Sequence, residues 1–558
     1  MLIVSYTFLF DSIQKIHCIH NLLALLARID STMNINSSML NKNVEQESNS
    51  FSKIISNIDA CIRVVEMIKT TLGPSGMDKF IQYEEDRTLI TNDGATIMNI
   101  LRPENEISKI LIEIAKSQDF EVGDGTTTVC LICGDLLQLA KELLIEKVHP
   151  RNICKIFKKG ARIATQVLKE TSFEPPTCDL KLLKKILMSC CATSLNSKLI
   201  SGKRHIFAEI IVSTCLIMGR EFDPNMVSVK TILGGAINDS FFIKGICIKK
   251  PFSYAGFEKQ TKKYYYPLLL LLNIELEIKA EENDAETRLN SMVKFKKVID
   301  AEWSIIYEKL DRISETKIKA VFSTQTIGDL ATQYFAERGI ICGGRLSTDE
   351  IMKISKGTGA RLISAVSDIN HITMGKCGIL EEKQIGTERY IFILGCNNKA
   401  TTIILRGSSN KFLDETKRCL NDGIMVARRV LKNQAICGGA GAVEMKIAAK
   451  LRKYVKTVTG KNHTILTKFA QALEIIPKTI CENAGLDSIS ILSSLRSIHD
   501  NTESWDGICV ETGTIFNAFE NYIWEPMIVK THAIQAATEA ACTVLSIDTC
   551  FSFCNVNT

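Results

Sequence analysis

A long apolar run from Val129 to Leu144 follows directly on Val122-Gly123-Asp124-Gly125-Thr126-Thr127-Thr128. The run reads as a buried helix, so the rest of its domain must be built around it. The residues that introduce it carry chemistry. Two glycines let the backbone approach a ligand closely. Three hydroxyls arrive where unpaired N–H groups and the positive end of the helix dipole favour a phosphate. Asp124 is the odd member, because a carboxylate repels phosphate. The two are compatible when a hard cation lies between them, and Mg²⁺ takes one or two carboxylates together with phosphate oxygens. Taken alone, the stretch fits equally well a tight Asp-Gly turn before an ordinary helix.

Along the chain, Ile54, Ile58, Cys61, Ile62, Val65 and Ile68 recur at helical spacing, and Leu72-Gly73-Pro74 ends that helix. Arg87 to Ile90 reads as a short strand. Helices are expected from Ala95, over Ile107 to Lys116, and from His149-Pro150 to about Glu170. A polar linker, Thr171 to Asp179, precedes a change of texture. Between Gly234-Gly235 and Gly395, short apolar runs such as Leu268 to Leu272 and Ala320 to Phe322 alternate with helical patterns, which predicts an α/β block with a parallel sheet. Phe295, Ile299, Trp303, Ile306, Leu310 and Ile313 mark one amphipathic helix there. After a strand at Thr402 to Gly407 the pattern is mostly helical again from Phe412 to Ala472.

The chain has neither Gly-x4-Gly-Lys-Ser/Thr nor Gly-x-Gly-x-x-Gly, so neither a P-loop nor a Rossmann site is supported. Instead, three glycine-bearing stretches accompany the first one: Thr70-Thr71-Leu72-Gly73-Pro74-Ser75-Gly76, Thr91-Asn92-Asp93-Gly94-Ala95-Thr96, and Cys437-Gly438-Gly439-Ala440-Gly441-Ala442-Val443-Glu444. In this order they resemble the nucleotide site of the group II chaperonins of the TCP-1 family, the eukaryotic cytosolic complex called CCT or TRiC. The resemblance runs from about Ser52 to Asp548. Ser253 to Glu258, Ala331 to Ala336 and Trp524-Glu525-Pro526 look most like one particular subunit of that complex.

The resemblance implies an α/β multidomain chaperonin fold. A mostly helical, discontinuous equatorial ATP-binding domain would take 40–177 and 433–558. A small α+β intermediate domain would take 178–235 and 401–432. An inserted α/β apical domain for substrate would take 236–400 and carry a helical protrusion near Glu275 to Glu315. It also implies the site. Leu72, Gly73, Pro74, Gly94, Gly125, Thr126, Thr127 and Thr128 would hold ATP or ADP phosphates, with Asp124 on Mg²⁺. Asp93 and Asp422 would serve the attacking water, the latter at a hinge that couples closure to hydrolysis. Asn196, Ser197 and Lys198 would sense the γ-phosphate. Gly439, Gly441, Gly507, Glu525 and Lys530 would surround the nucleoside. Without the resemblance, Asn92-Asp93-Gly94 is an ordinary turn, Asp422 a solvated helix residue and Lys198 an exposed lysine.

Departures from the family pattern are expected to matter. Ala440 replaces a central glycine, where its methyl would crowd the nucleoside or demand a negative φ. Cys509 stands where an aspartate is common. Residues 1–39 are an unmatched leader without a basic start or cleavage site, so Met33 or Met39 is the expected true start, and the tail from Thr549 is likewise foreign to the family.

A chain of 558 residues exceeds one core, so two to four domains are expected. The net charge of +6 is small for that length and no basic block appears, which argues against nucleic acid. The 20 cysteines are scattered. Cys130 and Cys133 lie inside the apolar helix and read as a buried pair rather than a zinc site. A reducing, cytoplasmic compartment and no membrane span are the expectation. Three functions compete: one subunit of an ATP-hydrolysing folding chamber, with sister subunits eight to a ring in two rings and clients such as actin and tubulin; a structural ring subunit that hydrolyses weakly; and a stand-alone ATPase.

Overall fold

The computed structural model describes residues 52–548, apart from positions 85–86, 102, 104, 176–178, 253–260, 278–291, 371 and 397. The leader with Met33 and Met39, the tail from Thr549, Ser253 to Glu258 and the part of the expected protrusion over 278–291 lie outside the described residues.

The apolar run forms helix Thr126–Ile145, and every residue from Thr126 to Gly134 is buried. Helices from both flanks of the sequence cover it: Gly94–Ile100 and Lys109–Glu121 before it, Lys461–Leu473, Ile475–Asn483 and Met527–Ser546 far after it. Helix Ser52–Lys69 joins through Val65, whose methyl groups lie where a Cβ on Gly134 would stand. Helix Pro150–Thr171 packs against Lys461–Leu473 and Met527–Ser546. There Gly160 makes room for the ring of Phe469, which also meets Phe157 at 5.7 Å between centroids.

A second group comprises helices Leu180–Asn196, Arg204–Met218 and Asn410–Asn433, packed on one another. With them lies a three-stranded sheet in which Thr401–Gly407 pairs parallel to Val227–Leu233 and antiparallel to Phe241–Ile243. The register runs from Thr401↔Val227 to Gly407↔Leu233. The chain leaves this sheet from Ile243, which pairs with Thr402, beside the place where it returns. Gly234 and Gly235 turn it with φ of 90° and 85°, conformations that side-chain-bearing residues avoid. Phe241–Ile243 lies beyond the boundary expected at residue 235 yet still belongs to this sheet.

Between departure and return stand two more sheets. Gly245–Ile248, Glu388–Leu394, Ile379–Ile385 and Lys263–Tyr265 make an antiparallel one, in that spatial order. In the other, Leu268–Leu272, Ala320–Ser323 and Ile341–Gly343 run parallel, as the alternation of short apolar runs predicts. Its leucine run is buried on both faces, the mark of a covered parallel strand. Leu270 and Leu272 join Leu310, Ile313 and Phe335 on one side, while Leu269 and Leu271 join the larger core on the other.

One strand carries no local signal, and one expectation needs correction. Strand Lys79–Glu84, which pairs antiparallel with Arg87–Thr91, went unread because no buried face imposes an alternation: Phe80 and Tyr83 are exposed. Trp303 is not on the buried face of helix Met292–Glu315. It stacks on Tyr307 at the surface, and among the described side chains of that helix Ile306, Leu310 and Ile313 are buried. Helix Asn410–Asn433 runs through Asn421-Asp422-Gly423, as the helical pattern from Phe412 implies. The glycine serves packing, since a Cβ there would stand 2.6 Å from Cδ1 of Ile211.

The contact at Gly134 is testable. A Cβ there meets Val65 Cγ1 at 2.8 Å, and a β-branched neighbour cannot swing away. Gly134→Ala should destabilise the full chain by about 1–2 kcal/mol, overpacking outweighing the helix-propensity gain. Urea unfolding followed by tryptophan fluorescence should show this, and Val65→Ala in the same chain should recover part of the loss.

Candidate functional site

A cavity of about 830 Å³ opens at the N-terminus of helix Thr126–Ile145. Gly123 and Gly125 both hold φ of 79°, and a Cβ on either would strike Met425 or Val529. Gly125 occupies the N-cap, and no side chain caps the helix there. Thr126, Thr127 and Thr128 line the cavity at that end. The helix thus presents uncapped N–H groups and hydroxyls to the space, as an anion would require.

Asp93 comes against this end from the turn ahead of helix Gly94–Ile100. Its carboxylate caps that helix, accepting from the N–H of Ala95 at 3.2 Å and of Thr96 at 3.0 Å, from the Thr96 hydroxyl at 2.6 Å and from the Thr126 hydroxyl at 3.4 Å. Gly94 permits the approach, because a Cβ would stand 2.6 Å from Thr127 Oγ1. Asn92 donates through Nδ2 to the Ser197 carbonyl at 2.9 Å, tying this turn to the loop of Lys198. The Asp124 carboxylate accepts from the N–H of Gly125 at 2.7 Å. Its carbonyl is held by Gln118 Nε2 at 2.8 Å, and Gln118 is in turn bonded to His532. Leu72, Gly73 and Pro74 line the cavity from another side, where Asn483 donates to the Leu72 carbonyl at 2.8 Å.

Lys198 lines the cavity and pairs with Asp422, which stands behind it; their side chains are 12 % and 15 % exposed. Burial works against the charged ammonium, but the carboxylates of Asp422, Asp124 and Asp93 outweigh it and hold Lys198 above the ordinary lysine range. Neither residue is the solvated surface group that its sequence alone suggests. On the far side, Lys530 reaches Glu525 at 2.8 Å and Glu444 at 2.9 Å. Burial opposes its charge too, and the two carboxylates again prevail.

Of the residues expected at a nucleotide, Leu72, Gly73, Pro74, Asp93, Gly94, Asp124, Gly125, Thr126, Thr127, Thr128, Asn196, Ser197, Lys198, Gly441, Glu525 and Lys530 line this one cavity. Asp422, Gly439 and Gly507 are not among its lining residues. Gly439 makes room for Glu525, whose Oε1 would be 2.6 Å from a Cβ there. Gly507 lies against Ala440, with the Ala440 carbonyl 2.8 Å from its would-be Cβ. Ala440 itself adopts φ of 55° rather than a negative value. Its carbonyl accepts from the N–H of Ile508 at 3.1 Å, and its methyl faces the bare Gly507, which is how the strain is borne.

Sequence reasoning missed several neighbours. Glu444 was quoted within its motif but given no task, although it is 2 % exposed and anchors Lys530. Asp119 joins the acids: burial and then the Asp93 carboxylate raise it. Glu415 accepts the Thr91 hydroxyl at 3.1 Å behind the Asp93 turn. Ile476, Ile480 and Ile508 supply an apolar wall. These pairings join distant segments, and no local spacing announces them. Among the described residues no three His, Cys, Asp or Glu side chains converge as a metal cage. A cation here would be held by Asp124 with oxygens from phosphate and water, a donor set that suits Mg²⁺.

The model of the TCP-1/cpn60 chaperonin family matches residues 64–552. A T-complex protein 1 subunit eta from Tetrahymena pyriformis is 44% identical over 516 residues, 91% of this chain and 92% of that protein. The eta subunit from Arabidopsis thaliana is 42% identical over 501 residues, 89% and 90% of the two. The human eta subunit is 40% identical over 511 residues, 91% and 94% of the two. With a match of this extent, the chain belongs to the TCP-1/cpn60 chaperonin family.

Proposed function

We propose that the chain is the eta-type subunit of a hetero-oligomeric cytosolic chaperonin, and that it binds and hydrolyses ATP to drive closure around non-native proteins. The observation that carries this reading is the convergence on one cavity of an uncapped helix start with Thr126–Thr128, the Asp124 carboxylate, and Lys198 brought in by Asp422 from another helix. Phosphates would lie against the hydroxyls and N–H groups of that helix. Mg²⁺ held by Asp124 would screen their charge. The Lys198 ammonium would answer a terminal phosphate, and Asp422, released from or held by that lysine, would orient the attacking water. Asp93 would both fix the threonines, as the cap of helix Gly94–Ile100, and serve the attacking water with Asp422. The capping part rests on four hydrogen bonds accepted by one carboxylate.

The division into equatorial, intermediate and apical domains belongs to the same proposal. It is supported by helices of both flanks packing on Thr126–Ile145 and by the chain leaving and re-entering one sheet at Ile243 and Thr401. Sister subunits, eight to a ring in two rings, and clients such as actin and tubulin are carried from the family resemblance. The cytoplasm as its compartment has the same source; among the described residues no helix is long and apolar enough to cross a membrane. The weakly hydrolysing alternative rests on Ala440, which lines the cavity with φ of 55°.

Two substitutions separate the roles. In the assembled particle, Asp422→Ala should retain nucleotide and lose this subunit's turnover by roughly 10²-fold, as removal of a general base does; unchanged turnover would refute the role of Asp422. Asp124→Ala should weaken Mg-nucleotide binding itself, read by equilibrium titration with a fluorescent nucleotide, with little effect when Mg²⁺ is withheld. The block 236–400, expressed alone, should bind unfolded protein and show no ATP affinity by calorimetry.

A further inference from the structure

Away from the nucleotide-type cavity, a second one of about 990 Å³ lies between helices Pro150–Thr171 and Met527–Ser546. Lys158, Arg162 and Lys169 line it, facing Glu539. Two cysteines also meet there. Cys154 and Cys542 are 388 residues apart in sequence, yet Cys154 Sγ lies 3.7 Å from the Cys542 carbonyl oxygen and Cys542 Sγ 3.7 Å from that of Cys154. Such reciprocal contact sets each thiol over the other residue, so one sulfur reaches the other by side-chain rotation. Folding and ATP chemistry use neither.

We propose that Cys154 and Cys542 are a peroxide-reactive thiol pair that closes a disulfide between these two helices. The inference does not depend on the function proposed above. Access divides the labour. Cys154 is partly exposed, whereas Cys542 is buried, so Cys154 meets the oxidant and Cys542 resolves. The surroundings agree. A hydrogen bond from the Cys542 thiol, against burial and with help from Ser546 and Lys158, lowers the Cys154 thiol to about 7. Burial instead pushes cysteines such as Cys130 and Cys215 up to about 12. A low, accessible thiol beside a resolving one is the pattern of redox-reactive cysteines.

The chemistry balances with a hydroperoxide as oxidant. The Cys154 thiolate attacks one peroxide oxygen, the O–O bond breaks, and the departing oxygen takes up a proton as water or alcohol. Cys154 is then a sulfenic acid, oxidised by two electrons. The Cys542 sulfur attacks it, the S–S bond forms, and the sulfenic hydroxyl leaves as water with the Cys542 proton. With hydrogen peroxide, two thiols and one peroxide become one disulfide and two waters.

The test is made on the full chain in its native particle. It is treated with hydrogen peroxide, remaining thiols are blocked with N-ethylmaleimide, and tryptic peptides are mapped by mass spectrometry. The expected product joins Asn152–Lys155 to the peptide beginning at Thr531, with fragment ions placing the bond on Cys542. The bond should survive Cys550→Ser and Cys554→Ser and vanish in Cys542→Ser, where dimedone should trap Cys154 as sulfenic acid. Cys154 found blocked by maleimide after oxidation, over-oxidised, or joined to any other cysteine in the unmutated chain would overturn the proposal.

Discussion

The burial of helix Thr126–Ile145 governs the structure. Apolar side chains leave it on nearly every side, and removing each from water is worth roughly 1.5–3 kcal/mol. One flank of the sequence cannot cover it. The helices that do come from before residue 122 and after residue 460, so the chain must come back to where it started. Everything between becomes an excursion, let out from strand Phe241–Ile243 and taken in through its neighbour Thr401–Gly407. The helix N-terminus then opens on a space whose walls are drawn from both flanks. The cavity is a consequence of the packing problem and of its solution.

Much of this was legible in the sequence. Strong periods and glycine punctuation gave the long helices and the parallel leucine strand, because burial there obeys a local rule. The cavity-lining stretches were legible only as an ordered set, since each alone spells a common turn. What could not be read was cross-chain chemistry. Nothing near Glu444 reveals that Lys530 will stand against it, and nothing near Lys198 reveals Asp422. The helical pattern from Phe412 runs on through Asn421-Asp422-Gly423, where the glycine packs on Ile211. Ala440 misled, since a left-handed alanine is tolerated where its neighbour is bare.

The charges around the cavity are arranged in opposition. Asp93, Asp119, Asp124 and Asp422 crowd one end and Lys198 answers them all. At the other end two carboxylates confine Lys530. Such buried sets do little for net stability, but breaking one partner is severe, commonly about 3–5 kcal/mol. Because Lys198 follows helix Leu180–Asn196 and Asp422 lies within helix Asn410–Asn433, their pair also records whether those helices stand together. Any ligand charge that competes for the lysine acts on that arrangement.

Gln118 and His532, whose side chains join behind Asp124, are 414 residues apart. During synthesis at about 5–20 residues per second, helix Thr126–Ile145 would wait roughly 20–80 s for its last covering helix to leave the ribosome. Throughout that interval its buried face lies open to water and to other nascent chains. A protein with this architecture is therefore itself a demanding client while it is being made, and its dependence on protection during translation is written into the distance between the two halves of its own core.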